Sequence, residues 1–336
     1  MKKYIARRLL LGLIVLFGVV VITFAITRIL PADPALKWAG LKATPEQIQA
    51  ARIELGLDQP VYVQFGKYLG DLAHGNLGYS FRSHRPVMDE LIEAIPATVE
   101  LVMVSMTMAV ILGIFFGIYS AKYKNKLLDH IMRFFSIGAV SLPAFWIALA
   151  VQLVFYGMLH ILPLGGRVST DIAIMYQMPH ITGLLILDSL LTGNWAIFKD
   201  ALLHIILPSI PLAMYPLGMV ARMTRSSLLE ILGEDYITAE RSYGIKESFI
   251  LWVYALKNSL GATVTVVALT IGYMLTNTFL TEAIFSWPGI GKYVADAVMS
   301  MDYPGIMGVT LFSAVVYLIL NLIADLLIAL DPRIRV

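Results

Sequence analysis

Three consecutive segments decide the fold: ALLHIILPSIPLAMYPLGMVA (201–221), RMTRSSLLEILGEDYITAERSYGIKESFILWVYALKN (222–258) and SLGATVTVVALTIGYMLTNTFLT (259–281). The outer two contain no Asp, Glu, Lys or Arg, and each is long enough to cross a bilayer core, which requires about 20 residues. The middle segment carries five basic and five acidic residues, with apolar residues at helical spacing. Helices that lie on lipid headgroups are rich in positive charge, so a balanced face suits a protein partner better. Segment 222–258 is therefore either the contact through which a soluble partner moves the membrane helices, or an interfacial loop that has no partner.

The composition is that of a membrane protein that crosses the bilayer several times. Of 336 residues, 58% are hydrophobic and only 14% are charged, far from the balance of a soluble domain. The net charge of +2 is too small to indicate nucleic-acid binding. Cysteine is absent, which excludes disulfides, thiolate metal sites and a cysteine nucleophile. The histidines never fall three or four residues apart, so the sequence offers no helical metal pair.

Uncharged runs of spanning length predict an all-α protein with six transmembrane helices. The runs are Leu9–Thr27, Leu101–Ala121, Phe134–Leu159, Ala201–Ala221, Ser259–Thr281 and Pro304–Ala324. The first run exceeds the length of a usual signal-peptide core, and no small-x-small cleavage site follows, so it is interpreted as a retained span. Segment 172–187 is short and interrupted by Pro179, and is interpreted as an external loop.

The orientation is predicted from Lys and Arg in the short loops. With the N-terminus inside, the inner segments hold fifteen of these residues and the short outer loops hold three. Both termini are therefore expected in the cytoplasm. The predicted domains are an N-terminal transmembrane helix (1–30), an external helical cap (31–95), a five-helix transmembrane domain (96–328) that contains the loop 222–258, and a cytoplasmic tail (329–336).

The long outer stretch has the signals of folded helices. Thr44-Pro45-Glu46-Gln47 has the layout of a capping box, and the helix that it starts should end at Gly56. A second helix is expected from Pro60 to about Ala73, and a third from Pro86 to about Ile95. The alternative is that this stretch is only a spacer.

A second outer stretch, TEAIFSWPGIGKYVADAVMSMDYPGI, follows the fifth run. Trp287-Pro288-Gly289 predicts a sharp turn, because proline fixes φ and glycine permits a positive φ. A short helix should follow over Val294–Met301. The aromatic residues here are either anchors at the membrane interface or part of a gate.

Catalytic motifs are missing from the sequence. GxxxxGK[ST], HExxH and GxSxG do not occur, so the chain has no P-loop for ATP and no visible hydrolase site. Four ionisable residues lie within or beside the spans: Glu100, His204, Glu282 and Asp325. All four stand near the ends of the runs, and they are expected to be solvated end residues rather than an ion-coupling site.

Five separated motifs, in order, resemble the permease subunits of ABC importers in the dipeptide/oligopeptide/nickel family. The resemblance covers essentially the whole chain. It is strongest in the loop, where RMTRSSLLEILGEDYI (222–237) is followed by Arg241 and Gly244. The other motifs are LGLDQP (55–60), GNLGYS (75–80), TEAIFSWPGIG (281–291) with DYP (302–304), and DPRIR (331–335).

The resemblance implies a short coupling helix within the loop, seated in a groove of a cytoplasmic ATPase. The family's EAA motif falls on Thr238, Ala239 and Glu240; only Ala239 matches, and Tyr243 replaces a common lysine. Ala239 would permit close approach, and Gly244 would end the helix. The residues predicted to couple to the ATPase are Glu234, Asp235, Tyr236, Ala239, Glu240, Arg241 and Gly244.

The resemblance also implies the partners. They are a second permease subunit, two ATPase subunits that bind ATP and Mg²⁺, an external substrate-binding protein and membrane lipid. This chain would itself hold no cofactor or metal and would work by alternating access in a prokaryotic inner membrane. The outer residues predicted to form a gate or to contact the binding protein are Tyr62, Tyr79, Phe285, Trp287 and Tyr293.

Dipeptides or short oligopeptides are the expected substrate. Nickel chelates, glutathione and oligosaccharides are alternatives for the same permease type. A stand-alone, ion-coupled carrier is the alternative from another class, although such a carrier usually has a mid-membrane carboxylate and a repeat of broken helices.

Overall fold

The structure is a computed structural model that describes residues 2–29, 33–40 and 42–329. The predicted tail and the DPRIR motif lie almost wholly outside these residues. The helices are α1 (Lys2–Ile29), α2 (Pro34–Ala39), α3 (Pro45–Glu54), α4 (Val61–Ala73), α5 (Val87–Lys122), α6 (Leu127–Ser141), α7 (Ala144–Val151), α8 (Thr170–Met175), α9 (Leu185–Leu191), α10 (Trp195–Ile231), α11 (Asp235–Ser242), α12 (Glu247–Phe249), α13 (Leu256–Ile284), α14 (Ile290–Ser300) and α15 (Tyr303–Ala329). Two π-helical turns, Gln152–Met158 and Ile250–Ala255, follow α7 and α12. The described part of the chain is all-α, as predicted.

Four helices are long and apolar enough to cross a membrane within the described residues, and a bent pair raises the number to five. The four contain Leu10–Thr27, Val87–Lys122, Trp195–Ile231 and Glu247–Leu275, and the pair joins α6 to Ala144–Met158. Tyr303–Ile319 is a shorter apolar helix. The apolar runs therefore fall in helices as expected, while the count of six remains a prediction.

The third predicted span is broken rather than straight. The chain bends by 110° between α6 and Ala144–Met158. Leu142 is extended, with φ −84° and ψ 137°, and Pro143 follows it. A residue before proline is pushed out of the helical region, which explains why the uncharged run 134–159 does not form one helix.

The chain forms two compact units: Met1–Pro96 with Pro288–Asp325, and Ala97–Trp287 with Leu326–Val336. In the first unit, the predicted capping box of Thr44 and Gln47 is present at the start of α3. That helix ends beside Gly56, whose φ is +63°. The second predicted helix is α4, which begins after Pro60. The short α2, with its N-terminus capped by Asp33, was not predicted.

Two predicted boundaries in the outer stretches are wrong. The helix expected to stop near Ile95 continues through Pro96 as part of α5. Proline disturbs a helix by its missing N–H and its ring, but membrane helices often tolerate it. At the predicted turn, the positive φ (49°) belongs to Ser286, whereas Gly289 is extended with φ −104°. The helix α14 consequently begins at Ile290, four residues earlier than expected.

The described residues of the second unit form five apolar clusters, of which two are larger than the others. One contains Leu101, Met106, Ile205, Leu212, Met274 and Trp287. The other contains Ile118, Leu228, Ile237, Ile250, Leu251 and Ala255. In the first unit, Val87, Leu91, Tyr293 and Val309 form a further cluster.

Helices α5 and α10 approach closely at two glycines in the sequence GIFFG (113–117). A Cβ at Gly113 would lie 2.7 Å from Val220 Cγ1, and one at Gly117 would lie 2.6 Å from Thr224 Cβ. Small residues four apart permit such contact between membrane helices. This pair therefore fixes how near α10, the helix that leads into the loop, can come to α5.

Candidate functional site

Helix α11 lies in the middle of the loop 222–258 and exposes nearly all of its residues. Ile237 is its only buried residue. Glu234, Asp235, Ala239 and Arg241 are exposed, Tyr236 is 39% exposed, and Glu240 is half-buried. Most of the surface of α11 is therefore accessible in the described part of the chain.

The end of α11 is fixed by a glycine-dependent motif. Gly244 has a φ of +78°. Its N–H donates to the carbonyl of Arg241 at 3.0 Å, and the N–H of Ile245 donates to Glu240 at 3.3 Å. These two bonds are the Schellman arrangement, in which a left-handed residue satisfies the last carbonyls of a helix. The prediction that Gly244 ends this helix is confirmed.

The inner side of α11 is held by Ile237. This fully buried side chain belongs to the cluster with Ile118, Leu228 and Ile250. Asn258 Nδ2 also donates to the hydroxyl of Tyr236 at 3.1 Å, and Arg241 forms an ion pair with Glu247 at 2.7 Å. Helix α11 is thus attached to the ends of α5 and α10 and to the start of the next span.

A buried ion pair links the loop 222–258 to α6, and it was not predicted from the sequence. Asp129 is fully buried and accepts two hydrogen bonds from Arg225, from Nε and Nη2, each at 2.9 Å. Ser120 Oγ and the N–H of Asn125, at 2.9 Å, also donate to this carboxylate. A buried carboxylate requires hydrogen-bond donors of this kind, because burial removes it from water. The pair joins the start of α6 to the last turns of α10.

Three of the ionisable residues expected to be solvated are buried instead. Glu100, His204 and Glu282 are each 5% exposed or less. Glu100 pairs with Arg167 and accepts from the N–H of Ile186 at 2.7 Å. Their positions near the ends of uncharged runs suggested access to water, but other parts of the folded chain cover them. The side chain of Asp325 lies outside the described residues.

Glu282 and His204 also have polar partners. Thr98 Oγ1 donates to Glu282 Oε1 at 2.7 Å. His204 Nδ1 lies 2.8 Å from the carbonyl oxygen of Asp200. Hydrogen bonding reduces the cost of burying such groups. The spans therefore contain buried, partnered polar side chains that the run lengths did not indicate.

Another buried acid organises the loop before α10. Asp188 accepts from the N–H groups of Ile181, Thr182 and Gly183 and from the Thr182 hydroxyl. Burial by itself would raise the pKa of Asp188, but these hydrogen bonds hold its pKa below the usual value. The short helices α8 and α9 flank this turn and are too short to cross a bilayer.

The five outer aromatic residues divide into two groups. Tyr62 is 77% exposed and Tyr79 is 53% exposed, so both are available for contact. Phe285 and Trp287 are 1% exposed and Tyr293 is 7% exposed, so these three present little surface to a binding protein, and their role in a gate stays a prediction. The indole N–H of Trp287 donates to the carbonyl of Ala97 at 2.8 Å. Apolar burial explains why these three rings face inward.

Two of the recognised outer motifs meet within the first unit. Ser80, the last residue of GNLGYS, donates its hydroxyl to Asp302 of the DYP motif. The N–H of Phe81 donates to the other oxygen of Asp302 at 2.9 Å. Ser80 and Asp302 are both buried, so this contact joins the motifs structurally.

Comparison with known proteins gives two family matches that together cover nearly the whole chain. Residues 113–336 match the family described as "Binding-protein-dependent transport system inner membrane component". Residues 1–102 match the N-terminal region described for the same kind of component.

Curated relatives are similar over their full length. The chain is 44% identical to the probable D,D-dipeptide transport system permease protein DdpB of Escherichia coli K12, with 98% of this chain and 97% of that protein covered. It is 40% identical to the dipeptide transport system permease protein DppB of Alkalihalophilus pseudofirmus, with both chains covered completely. The DppB of Escherichia coli K12 is 37% identical, with 100% of this chain and 99% of that protein covered.

A solved structure titled as inward-facing conformations of the MetNI methionine ABC transporter has the same fold. The TM-score is 0.52 at 15% identity, with 72% of this chain and 96% of that chain covered. The helical fold is thus that of an ABC importer permease. The chain belongs to the family of binding-protein-dependent transport system inner membrane components, in the dipeptide/oligopeptide/nickel group that the motifs predicted.

Proposed function

We propose that this chain is the permease subunit that forms half of the translocation pathway for dipeptides or short oligopeptides in an ATP-driven importer. The substrate class is supported by the relatives, whose names describe transport of dipeptides and D,D-dipeptides. Six spans, with both termini in the cytoplasm, are proposed from the uncharged runs and the distribution of Lys and Arg.

The observation that carries the proposal is the exposed helix α11, whose one buried residue, Ile237, packs into the apolar cluster with Ile118 and Leu228. A partner that binds the exposed side of α11 would move the ends of α5 and α10, to which α11 is attached. The proposed partner on this side is a pair of ATPase subunits, which would bind ATP and Mg²⁺ and draw the two coupling helices together. The two permeases would then rock between inward- and outward-facing states.

On the outer side of the membrane we propose contact with a substrate-binding protein through Tyr62 and Tyr79. Exposed tyrosines are frequent contributors to protein interfaces, because they bury a large area and keep a polar end.

The test uses Ala239→Trp, because a bulky side chain on the exposed face of α11 would obstruct a close contact. Ala50→Trp is the matched control, since Ala50 is an exposed alanine on α3, which is proposed to lie outside. By analogy with overpacked cores, the loss should be about 1–3 kcal/mol at the contact. We expect Ala239→Trp to weaken co-purification of the ATPases and to reduce ATP-dependent dipeptide uptake into vesicles, while Ala50→Trp leaves both unchanged.

Two outcomes would contradict the proposal. Normal ATPase attachment and uptake in Ala239→Trp would assign the loop to the membrane interface. Uptake by the purified chain alone, driven by an ion gradient in liposomes without ATPases, would favour the ion-coupled carrier.

A further inference from the structure

A cavity of about 490 Å³ lies between α5, α6 and α10 in the second unit. Its polar side is lined by three arginines: Arg133, Arg222 and Arg225. Its apolar side includes Phe116, Ile137 and Ala221. The cavity therefore combines positive charge with an apolar wall.

The three arginines differ in how closely an acidic side chain approaches them. Asp129 is the acid that faces them, and its two oxygens already accept from Arg225, Ser120 and Asn125. Arg133 Nε lies 3.4 Å from Asp129 Oδ1, but this buried N–H has no hydrogen-bond acceptor among the described residues. Arg133 Nη2 is also near His130 Nδ1, at 2.8 Å. Arg222 is exposed, and no described acid forms an ion pair with it. Positive charge therefore exceeds negative charge at the cavity.

The cavity stands at the ends of three uncharged runs. The run in α5 ends at Ala121, the run in α10 ends at Ala221, and the run that begins at Phe134 follows Arg133 directly. Arg133 and Arg222 are thus the first charges beyond the apolar segments. This is the level at which phospholipid headgroups meet a membrane protein.

We propose that this cavity binds a phosphate group, supplied by the headgroup of an anionic phospholipid. Guanidinium groups suit phosphate because their N–H donors match its oxygens, and Arg133 and Arg222 retain donors for that purpose. Phe116 and Ile137 would contact the adjoining acyl chain. Basic pockets between membrane helices are a recognised type of lipid-headgroup site. Soluble inorganic phosphate is the other source of the same chemistry.

The experiment measures which phospholipids remain on the full chain, purified with its co-purifying subunits from membranes that contain both phosphatidylglycerol and phosphatidylcholine. Native mass spectrometry should show retained phosphatidylglycerol enriched over phosphatidylcholine. Arg133→Gln and Arg222→Gln should each lower this enrichment about fivefold, since a basic residue near the surface contributes about 1 kcal/mol. Arg133→Lys and Arg222→Lys should retain most of the enrichment, which separates lost charge from lost folding.

Lys124→Gln is the matched control, because Lys124 is an exposed basic residue between α5 and α6 that does not line the cavity. It should leave the enrichment unchanged. An equal loss in Lys124→Gln would assign the effect to general surface charge and overturn the proposal. An unchanged enrichment in the two Arg→Gln variants would overturn it as well.

A second measurement distinguishes the two sources of phosphate. The delipidated protein is heated with phosphatidylglycerol or with inorganic phosphate, and its unfolding midpoint is recorded. Stabilisation by phosphatidylglycerol that is reduced in Arg222→Gln supports the lipid site. Stabilisation by inorganic phosphate alone would overturn the lipid source. Either result can be obtained whether or not the chain transports peptides.

Discussion

Ser80 and Asp302 are 222 positions apart in the sequence, and their side chains meet in a buried hydrogen bond of 2.5 Å. Ser80→Ala would remove one donor and leave Asp302 with the N–H groups of Phe81, at 2.9 Å, and Gly305, at 3.4 Å. We expect a loss of about 1.5–3 kcal/mol in unfolding free energy, the usual range for a hydrogen bond to a charged group. Thermal unfolding of the purified protein measures it. Ser248→Ala, at an exposed serine, is the control, and equal stability of the two variants would contradict the prediction.

Gly244→Val should disturb the end of α11 by its backbone conformation alone. No heavy atom lies within 4 Å of a Cβ built at Gly244, so steric overlap contributes nothing there. A φ of +78° nevertheless costs an L-residue roughly 1–2 kcal/mol, and more when the side chain is β-branched. We expect weakened ATPase attachment with intact membrane insertion, measured by co-purification. Gly261→Val is the control, because its Cβ also meets open space and its φ is not positive; equal attachment in both variants would refute the role of the turn.

Gly117→Ala should force α5 and α10 apart. The added Cβ would lie 2.6 Å from Thr224 Cβ and 2.9 Å from the backbone oxygen of Ala221. Neither atom is at the end of a flexible side chain, so neither can move away without a shift of the backbone. Overpacking of this kind costs about 1–3 kcal/mol. The unfolding midpoint in detergent should fall for Gly117→Ala and should stay the same or rise slightly for Gly261→Ala, because alanine favours a helix interior over glycine. A normal midpoint for Gly117→Ala would show that the two helices separate easily.

Acid should destabilise the loop around Asp188. Because hydrogen bonds lower its pKa in the folded state, the ionised Asp188 contributes stability above the unfolded pKa of about 3.9, and this contribution is lost as the pH falls through the lowered folded pKa. Resistance of the loop to proteolysis, measured against pH, should decline in that acidic range. In Asp188→Asn the decline should disappear and resistance should be low at every pH. The control is Asp171→Asn, at an exposed position, which should behave like the natural chain.

Cysteine labelling tests the proposed orientation. Tyr79→Cys and Ser286→Cys place thiols at exposed outer positions, and Ser242→Cys places one at the end of α11. An impermeant thiol reagent added outside intact cells should label the first two and reach the third only after the membrane is disrupted. Ser80 is unsuitable for this test because it is fully buried. The opposite labelling pattern would invert the topology.

Local patterns predicted much of the fold. Uncharged runs located long apolar helices, and the capping box of Thr44 and the glycine after α11 predicted helix ends, because each signal lies within a few residues. Pairing between distant segments was not predictable in this way. Glu100 was expected in water because it stands near the end of a run, yet Arg167 and the N–H of Ile186 cover it. The pair of Asp129 and Arg225 joins helices α6 and α10 through residues that are 96 positions apart. The sequence GIFFG did contain a local sign of the close approach of α5 and α10.

The division of the chain into units has a consequence for its biosynthesis. One unit combines Met1–Pro96 with Pro288–Asp325, so its two parts leave the ribosome at opposite ends of translation. At roughly 5–20 residues per second, the 222 positions between Ser80 and Asp302 correspond to a delay of about 10–45 s. During that interval the nascent chain holds Ser80 and Val87 without the residues that later cover them. A product truncated before Pro288 can never complete this unit, which gives cellular proteases a means to distinguish unfinished chains from finished ones.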